Sequence, residues 1–123
     1  MSISVFFGTL FLKEMKNFPQ EDIIKIGDFA RHVASSGFFG LPGKNKMSDN
    51  VPKNDPNWLY KVKYAQDYNL WHYHIGIPKY NNGNSGHLTS EYVLHYIKGD
   101  GYIKIVDMTA HPPMILPKIE YLK

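Results

Sequence analysis

Two histidines, His72 and His74, lie two residues apart in the segment LWHYHIGIP, which is otherwise rich in aromatic and aliphatic residues. This composition is typical of a β-strand, in which successive side chains point to opposite faces of the sheet. The two imidazoles therefore share one face, and Gly76 beside them leaves room for a ligand to approach. The other face carries the residues expected to pack under a helix, which are Trp71, Tyr73, Ile75 and Ile77. Histidine titrates near neutral pH, so a pair on an open face can perform acid and base catalysis.

A third histidine, His111, follows the last predicted strand in the sequence DMTAHPP. The rigid Pro112-Pro113 pair after it can aim this side chain back across the sheet. His95 lies within an alternating strand, and we interpret it as a hydrogen-bonded core or edge histidine. The two remaining histidines, assigned to the surface of a helix and to a loop, are His32 and His87.

The amino-terminal part of the chain predicts one strand and one long helix. Ile3–Phe7 is apolar and is interpreted as a strand that continues into a turn or short helix. Pro19–Ser36 is predicted to be an amphipathic helix, with Pro19 in its first turn and Gly37 at its end. Its apolar residues recur at helical spacing, at Ile23, Ile26, Ala30 and Val33.

The rest of the chain predicts a long loop and then an antiparallel sheet. Residues 37–57 contain many glycine, proline, asparagine and aspartate residues, so we expect a loop. Four strands are expected after it, at Trp58–Tyr64, Tyr68–Ile77, Tyr92–Lys98 and Tyr102–Met108. A helix followed by an antiparallel meander predicts an α+β fold.

Length and composition limit the possible functions. A chain of 123 residues can bury one core, so we expect a single domain spanning residues 1–123. The chain has no cysteine, which excludes disulfides and thiolate catalysis. No run approaches the roughly 18 apolar residues of a membrane span, and the start lacks the features of a secretory signal, so an intracellular protein without a membrane partner is expected. The formal net charge of +3 is only a mild bias toward polyanionic partners.

Five segments, taken in order, carry a resemblance to a known family. They are SVFFGTLFL at the start, GFFGLPGKNKMSDN after the helix, the HYHIGIP strand, the hairpin HLTSEYVLHYIKGDGYIKIVDM, and TAHP. Together they resemble the YafO toxins, a branch of the RelE/ParE superfamily of toxin–antitoxin ribonucleases. The resemblance implies a RelE-like fold, in which an amino-terminal strand and helix pack on an antiparallel sheet. The positions that match the motifs of the family are Phe39, Gly40, His72, His74 and His111.

The function implied by the resemblance is cytoplasmic cleavage of mRNA on translating ribosomes, silenced by a cognate antitoxin protein. RNA supplies its own nucleophile, the 2′-hydroxyl, so cleavage needs a base, an acid and positive charge, without any metal or other cofactor. We expect His74 and His111 to be the acid and the base, in an order that the sequence leaves open, with His72 as a helper or phosphate contact. The lysines that could contact RNA are Lys104, Lys79, Lys44 and Lys46.

Two other functions are compatible with the same residues. The HxH pair could provide two metal ligands on one face, and His111 or Asp107 could complete a metal-dependent hydrolase or binding site. Alternatively, the chain could be a noncatalytic toxin that binds a protein target, as in the ParE branch. Convergence of the histidines on a cleft would favour catalysis, whereas dispersed histidines would favour the binding module.

Overall fold

The computed structural model describes residues 3–111 and 114–123. Its elements, in chain order, are β1 (Ser4–Phe7), α1 (Thr9–Met15), α2 (Gln20–Ser36), β2 (Asn45–Met47), α3 (Trp58–Asp67), β3 (Leu70–Tyr80), β4 (Ser90–Lys98), β5 (Tyr102–Ala110) and a 3-10 helix, Ile119–Leu122. The strands form one sheet in the order β1-β5-β4-β3-β2. β1 is parallel to β5, and the other neighbours are antiparallel. This arrangement confirms the predicted α+β class.

The main core lies between the sheet and α2, the helix predicted at Pro19–Ser36. The helix buries an apolar stripe against the sheet, formed by Ile26, Phe29 and Val33. The ring of Phe29 stacks on that of Tyr73 from β3, with centroids 4.7 Å apart. Gly37 ends the helix with a φ of 66°, a conformation that glycine adopts without strain.

The core face of β3 agrees with the alternation that the sequence predicts. Tyr73, Ile75 and Ile77 are buried in the main core. Trp71 differs, because it is only partly buried at the edge of that core and Lys98 Nζ lies 4.4 Å from the centre of its ring. The strongest packing of this strand is therefore centred on Tyr73.

The prediction of a strand at residues 58–64 is wrong, because this segment forms the first part of α3. Aromatic content favoured a strand, but the tyrosines recur at the spacing of a helix, at Tyr60, Tyr64 and Tyr68. Two hydrogen bonds to the Asp55 carboxylate fix the start of the helix, one from the backbone N–H of Asn57 at 2.8 Å and one from Lys61 Nζ at 2.6 Å. Tertiary packing of α3 then outweighs the strand propensity of its side chains.

Helix α3 and the carboxy-terminal segment cover part of the second face of the sheet. They contribute to a small apolar cluster of Ala65, Leu70, Val106 and Leu122. The hydroxyl of Tyr64 donates to the carbonyl of Pro117 at 2.8 Å, which ties the helix to this segment. Since Leu70 shares its strand face with the paired histidines, the cluster lies on the histidine side of the sheet.

The predicted loop 37–57 contains a strand that the sequence does not reveal. β2 is three residues long and pairs with β3 in antiparallel register, with Lys46 opposite His72. A strand this short carries too little periodicity to stand out among glycines and prolines. Its pairing places Lys46 on the histidine face.

Candidate active site

Three histidines from two parts of the chain converge on the second face of the sheet. His72 and His74 come from β3, and the backbone N–H of His111, just after β5, donates to the carbonyl of Glu91 at 2.8 Å. The ring centroid of His111 lies 5.5 Å from that of His72 and 5.7 Å from that of His74. One ring nitrogen from each of the three lies within 4.8 Å of the others. The prolines expected to aim His111, Pro112 and Pro113, lie outside the described residues.

Two serines hold the rings of the paired histidines. Ser48 Oγ lies 2.9 Å from Nδ1 of His72, and a hydroxyl can either donate to or accept from this nitrogen. Nδ1 of His74 lies 3.0 Å from the backbone nitrogen of Ser90 and 3.1 Å from its carbonyl oxygen. Each ring can therefore keep its position in either tautomer. Nε2 of each is the nitrogen left for chemistry, as a base or as a donor.

Burial favours the uncharged form of all three imidazoles. It is the main cause that lowers the pKa of His72 to about 3, and the neighbouring His111 and His74 contribute to the same shift. Burial is also the main cause of the lowered pKa of His74 and of His111, and Lys44 contributes to both. Neutral imidazoles can accept a proton or bind a metal ion.

The histidines line a cleft of about 420 Å³ that also contains lysines and an apolar wall. Lys44 and Lys46 come from the region of β2, and Lys61 comes from α3. Lys61 forms an ion pair with Asp55. The apolar wall of the cleft is formed by the loop after β2 and by the carboxy-terminal segment. That wall consists of Val51, Pro52, Met114 and Leu116. The cleft thus places positive charge and apolar surface beside the same three imidazoles.

Two of the four lysines expected to contact RNA do not line this cleft. Lys104 Nζ donates to the carbonyl of Leu122 at 3.0 Å, so it serves to hold the carboxy-terminal segment. Lys79 lines a different cavity, beside α2. The loop positions Phe39 and Gly40 also lie away from the cleft, and Phe39 is 88% exposed.

His95 belongs to the same face and lies beside His72 on the neighbouring strand β4, with ring centroids 6.4 Å apart. It pairs across the strands with His72 on one side and Asp107 on the other, and it is fully buried. Its Nε2 lies 2.7 Å from Oγ1 of Thr109, whereas its buried Nδ1 has no hydrogen-bond partner among the described residues, so only one ring nitrogen is satisfied as predicted. Burial lowers its pKa to about 3 and raises the pKa of Asp107 to about 6. Asp107 is not part of the group of three within 4.8 Å.

Two expectations about this face need correction. The face is less open than predicted, since His72 and His74 each keep only 6% of their exposure. Gly76 does not make room for a ligand: its φ is 80°, and a Cβ there would lie 2.7 Å from the ring of Tyr80. The glycine is required by a register shift in β3 and by the packing of that tyrosine.

Sequence reasoning missed several residues that shape the site. Ser48 lies two residues after Lys46, so an extended chain there would have placed both on one face, but the segment was read as a loop. The pair Lys61–Asp55 is not expected from the sequence, because residues 58–64 predict a strand and Asp55 falls in the predicted loop 37–57. Ser90 carried no signal, because its role depends on the pairing of β3 with β4.

Comparisons of the chain with protein-family models, with curated proteins and with solved structures found no match. Among residues 3–111 and 114–123, no helix is both long enough and apolar enough to cross a membrane. The chemistry of the cleft therefore carries the functional conclusion.

Proposed function

We propose that this protein is a toxin-type endoribonuclease that cleaves mRNA by metal-independent acid and base catalysis. The observation that carries the proposal is the convergence of His72, His74 and His111, with ring nitrogens within 4.8 Å of one another, in a cleft flanked by lysines. This convergence also favours catalysis over a noncatalytic ParE-like binding module, which would not need the histidines together.

The reaction needs one base, one acid and charge stabilisation. Nε2 of one histidine takes the proton from the 2′-oxygen, which attacks the adjacent phosphorus. The bond from phosphorus to the 5′-oxygen breaks, and a second imidazole gives that oxygen its proton. The products are a 2′,3′-cyclic phosphate and a 5′-hydroxyl. His74 and His111 take these two roles in an order left open, and His72 contacts the phosphate.

Positive charge comes from the lysines of β2 and its flanks. Lys46 lies opposite His72 in the sheet, and Lys44 is close enough to the cluster to lower the pKa of the imidazoles. A bound phosphate has the opposite effect, because its negative charge favours the protonated ring. Substrate binding therefore raises the pKa of the histidine that acts as the acid, which favours the protonated imidazolium that this step requires.

The cellular setting of the proposal rests on the resemblance to YafO toxins. Cleavage on translating ribosomes, neutralisation by a cognate antitoxin and a cytoplasmic location all belong to that resemblance. The α+β architecture, with its amino-terminal strand and helices on a mainly antiparallel sheet, is compatible with it.

The test is cleavage of an mRNA on programmed ribosomes by the purified protein, with mapping of the RNA ends. We expect 2′,3′-cyclic phosphate and 5′-hydroxyl ends, loss of cleavage in His111→Ala and full cleavage in His87→Ala, which changes an exposed loop histidine. Absence of cleavage by the wild type, or full activity of His111→Ala, would contradict the proposal.

A second candidate function is a metal-dependent hydrolase or metal-binding site at the same histidines. The distance of 4.8 Å favours it, because three neutral imidazoles that close can bind one Zn²⁺ ion and leave a fourth position open. Chelation separates the two candidates. Cleavage that survives excess EDTA, with the ribosomes kept intact, supports the metal-independent reaction. Loss of activity that zinc alone restores supports the metal site.

A further inference from the structure

The cleft is larger than a phosphate group and three imidazoles require. Its volume of about 420 Å³ lies in the range of pockets that bind whole small molecules, about 300 to 1,000 Å³. Its lining also contains apolar side chains from two segments, Val51 and Pro52 after β2 and Met114 and Leu116 in the carboxy-terminal segment. A phosphodiester gains nothing from such surfaces, so they indicate a further group of the substrate.

The wall on the β2 side is held in place before any ligand binds. The backbone N–H of Ser48 donates to the carbonyl of Leu70 at 2.8 Å, and Gln66 Nε2 donates to the Asp49 carboxylate at 3.1 Å. Further along, the backbone N–H of Asp55 donates to the carbonyl of Pro52 at 3.0 Å. A preformed wall reduces the entropy that binding costs.

Two polar side chains from the same loop, Asn50 and Asp55, also line the cleft. Asp55 already accepts hydrogen bonds from Asn57 and Lys61, but each carboxylate oxygen has a second lone pair. Apolar surface together with hydrogen-bond acceptors suits a nucleobase, which presents apolar faces and a hydrogen-bonding edge.

We propose that this apolar half of the cleft binds the base of the nucleotide whose 2′-hydroxyl attacks. The inference rests on the proposed ribonuclease function and names its substrate as RNA with an unpaired base at that position. A base held there, next to His72, His74 and His111, keeps its own 3′-phosphate at the imidazoles. Because Asp55 can only accept hydrogen bonds when ionised, the pocket favours the exocyclic amino group of a base such as cytosine, with its two donor hydrogens, over uracil, whose pairing edge carries the single N3–H donor between two carbonyls.

The experiment measures binding of inorganic phosphate, 3′-CMP and 3′-UMP to the whole protein by calorimetry. We expect 3′-CMP to bind at least about tenfold more tightly than phosphate and more tightly than 3′-UMP. Val51→Trp fills the apolar half, so it should remove the advantage of the nucleotides and leave phosphate affinity unchanged. Ile24→Trp, at a half-exposed position on α2, is the matched control. Asn50→Ala is a second, milder variant at an exposed position, expected to weaken only the nucleotides.

The outcomes separate the two proposals. Equal affinity for phosphate and both nucleotides, with RNA cleavage that still depends on His111, overturns the base pocket and leaves the ribonuclease standing. A nucleotide advantage that persists in both Val51→Trp and Asn50→Ala also overturns the pocket. Absence of phosphate binding together with absence of RNA cleavage contradicts both.

Discussion

Acid should destabilise this protein through its buried imidazoles, and His95 allows the effect to be measured. Burial lowers the pKa of His95 and of His72 to about 3, whereas histidine in an unfolded chain titrates near pH 6.5. Below pH 6.5 the unfolded chain binds protons that the folded protein does not. The stabilisation is therefore complete above pH 6.5 and is lost as the pH falls toward 3.

The size of this loss of stability follows from the separation between the pKa of the histidine in the folded protein and its pKa in the unfolded chain. Each pH unit below 6.5 costs one such imidazole about 1.4 kcal/mol, so at pH 5 it has lost about 2 kcal/mol of its contribution to the free energy of unfolding. His72 and His95 face each other across the sheet and titrate as a coupled pair, with a combined loss of about 4 kcal/mol. Asp107 acts in the opposite direction, because its raised pKa stabilises the folded state as the pH falls through 6.

The measurement is urea unfolding at pH 7 and at pH 5, followed by tryptophan fluorescence. His95→Gln keeps an amide near Thr109 but cannot titrate, so its stability should fall by about 2 kcal/mol less than that of the wild type between the two pH values. Comparison of the two proteins cancels the contribution of Asp107. His87→Gln, in an exposed loop, should behave as the wild type does. Equal acid sensitivity of wild type and His95→Gln would refute the reasoning.

Three further predictions concern catalysis, RNA binding and the core. His74→Ala and His111→Ala should each lower cleavage by about 10² to 10⁴, and each should remove one limb of a bell-shaped pH profile. Circular dichroism should show both folded, although His74→Ala also loses a buried contact with Ser90. Binding of RNA or ribosomes should weaken steeply with salt, as a filter-binding series would show; a flat response would indicate an apolar protein partner. Tyr73→Ala should lower the free energy of unfolding by about 3 to 5 kcal/mol. Trp71→Ala should lower it by less, because that ring is only partly buried. The reverse order of the two losses would show that the faces of β3 are misassigned.

The elements with a periodic apolar pattern could be predicted from the sequence. The helix expected at Pro19–Ser36 and the three long strands were found because apolar periodicity and glycine boundaries are local signals. β2 and α3 could not be placed correctly. β2 exists through its pairing with β3, which no local window shows. α3 carries a local signal in the helical spacing of its tyrosines, but its aromatic content outweighs that signal in favour of a strand.

The candidate site could be predicted only in part, for a similar reason. Strand alternation places His72 and His74 on one face, and the position after the last strand singles out His111. Three other features of the site depend on strand register, which the sequence does not show. They are the burial of this face, the position of the serines that hold the rings, and the position of the buried His95 beside His72. Which lysines reach the cleft also depends on register: Lys46 faces His72 through β2, while Lys104 is held by the carbonyl of Leu122.

The parallel pairing of β1 with β5 has a consequence for the order in which the protein can mature. β1 is synthesised before every other strand of the described sheet, whereas its neighbour β5 is the last of these strands to be made. His111 follows β5 directly, so the third imidazole emerges with the strand that closes the sheet. Non-local closure of this kind waits until β5 is available. Under the proposed function, a growing polypeptide lacks one of its three imidazoles until β5 and His111 have been translated, so an inhibitor needs to recognise only chains that already contain this strand.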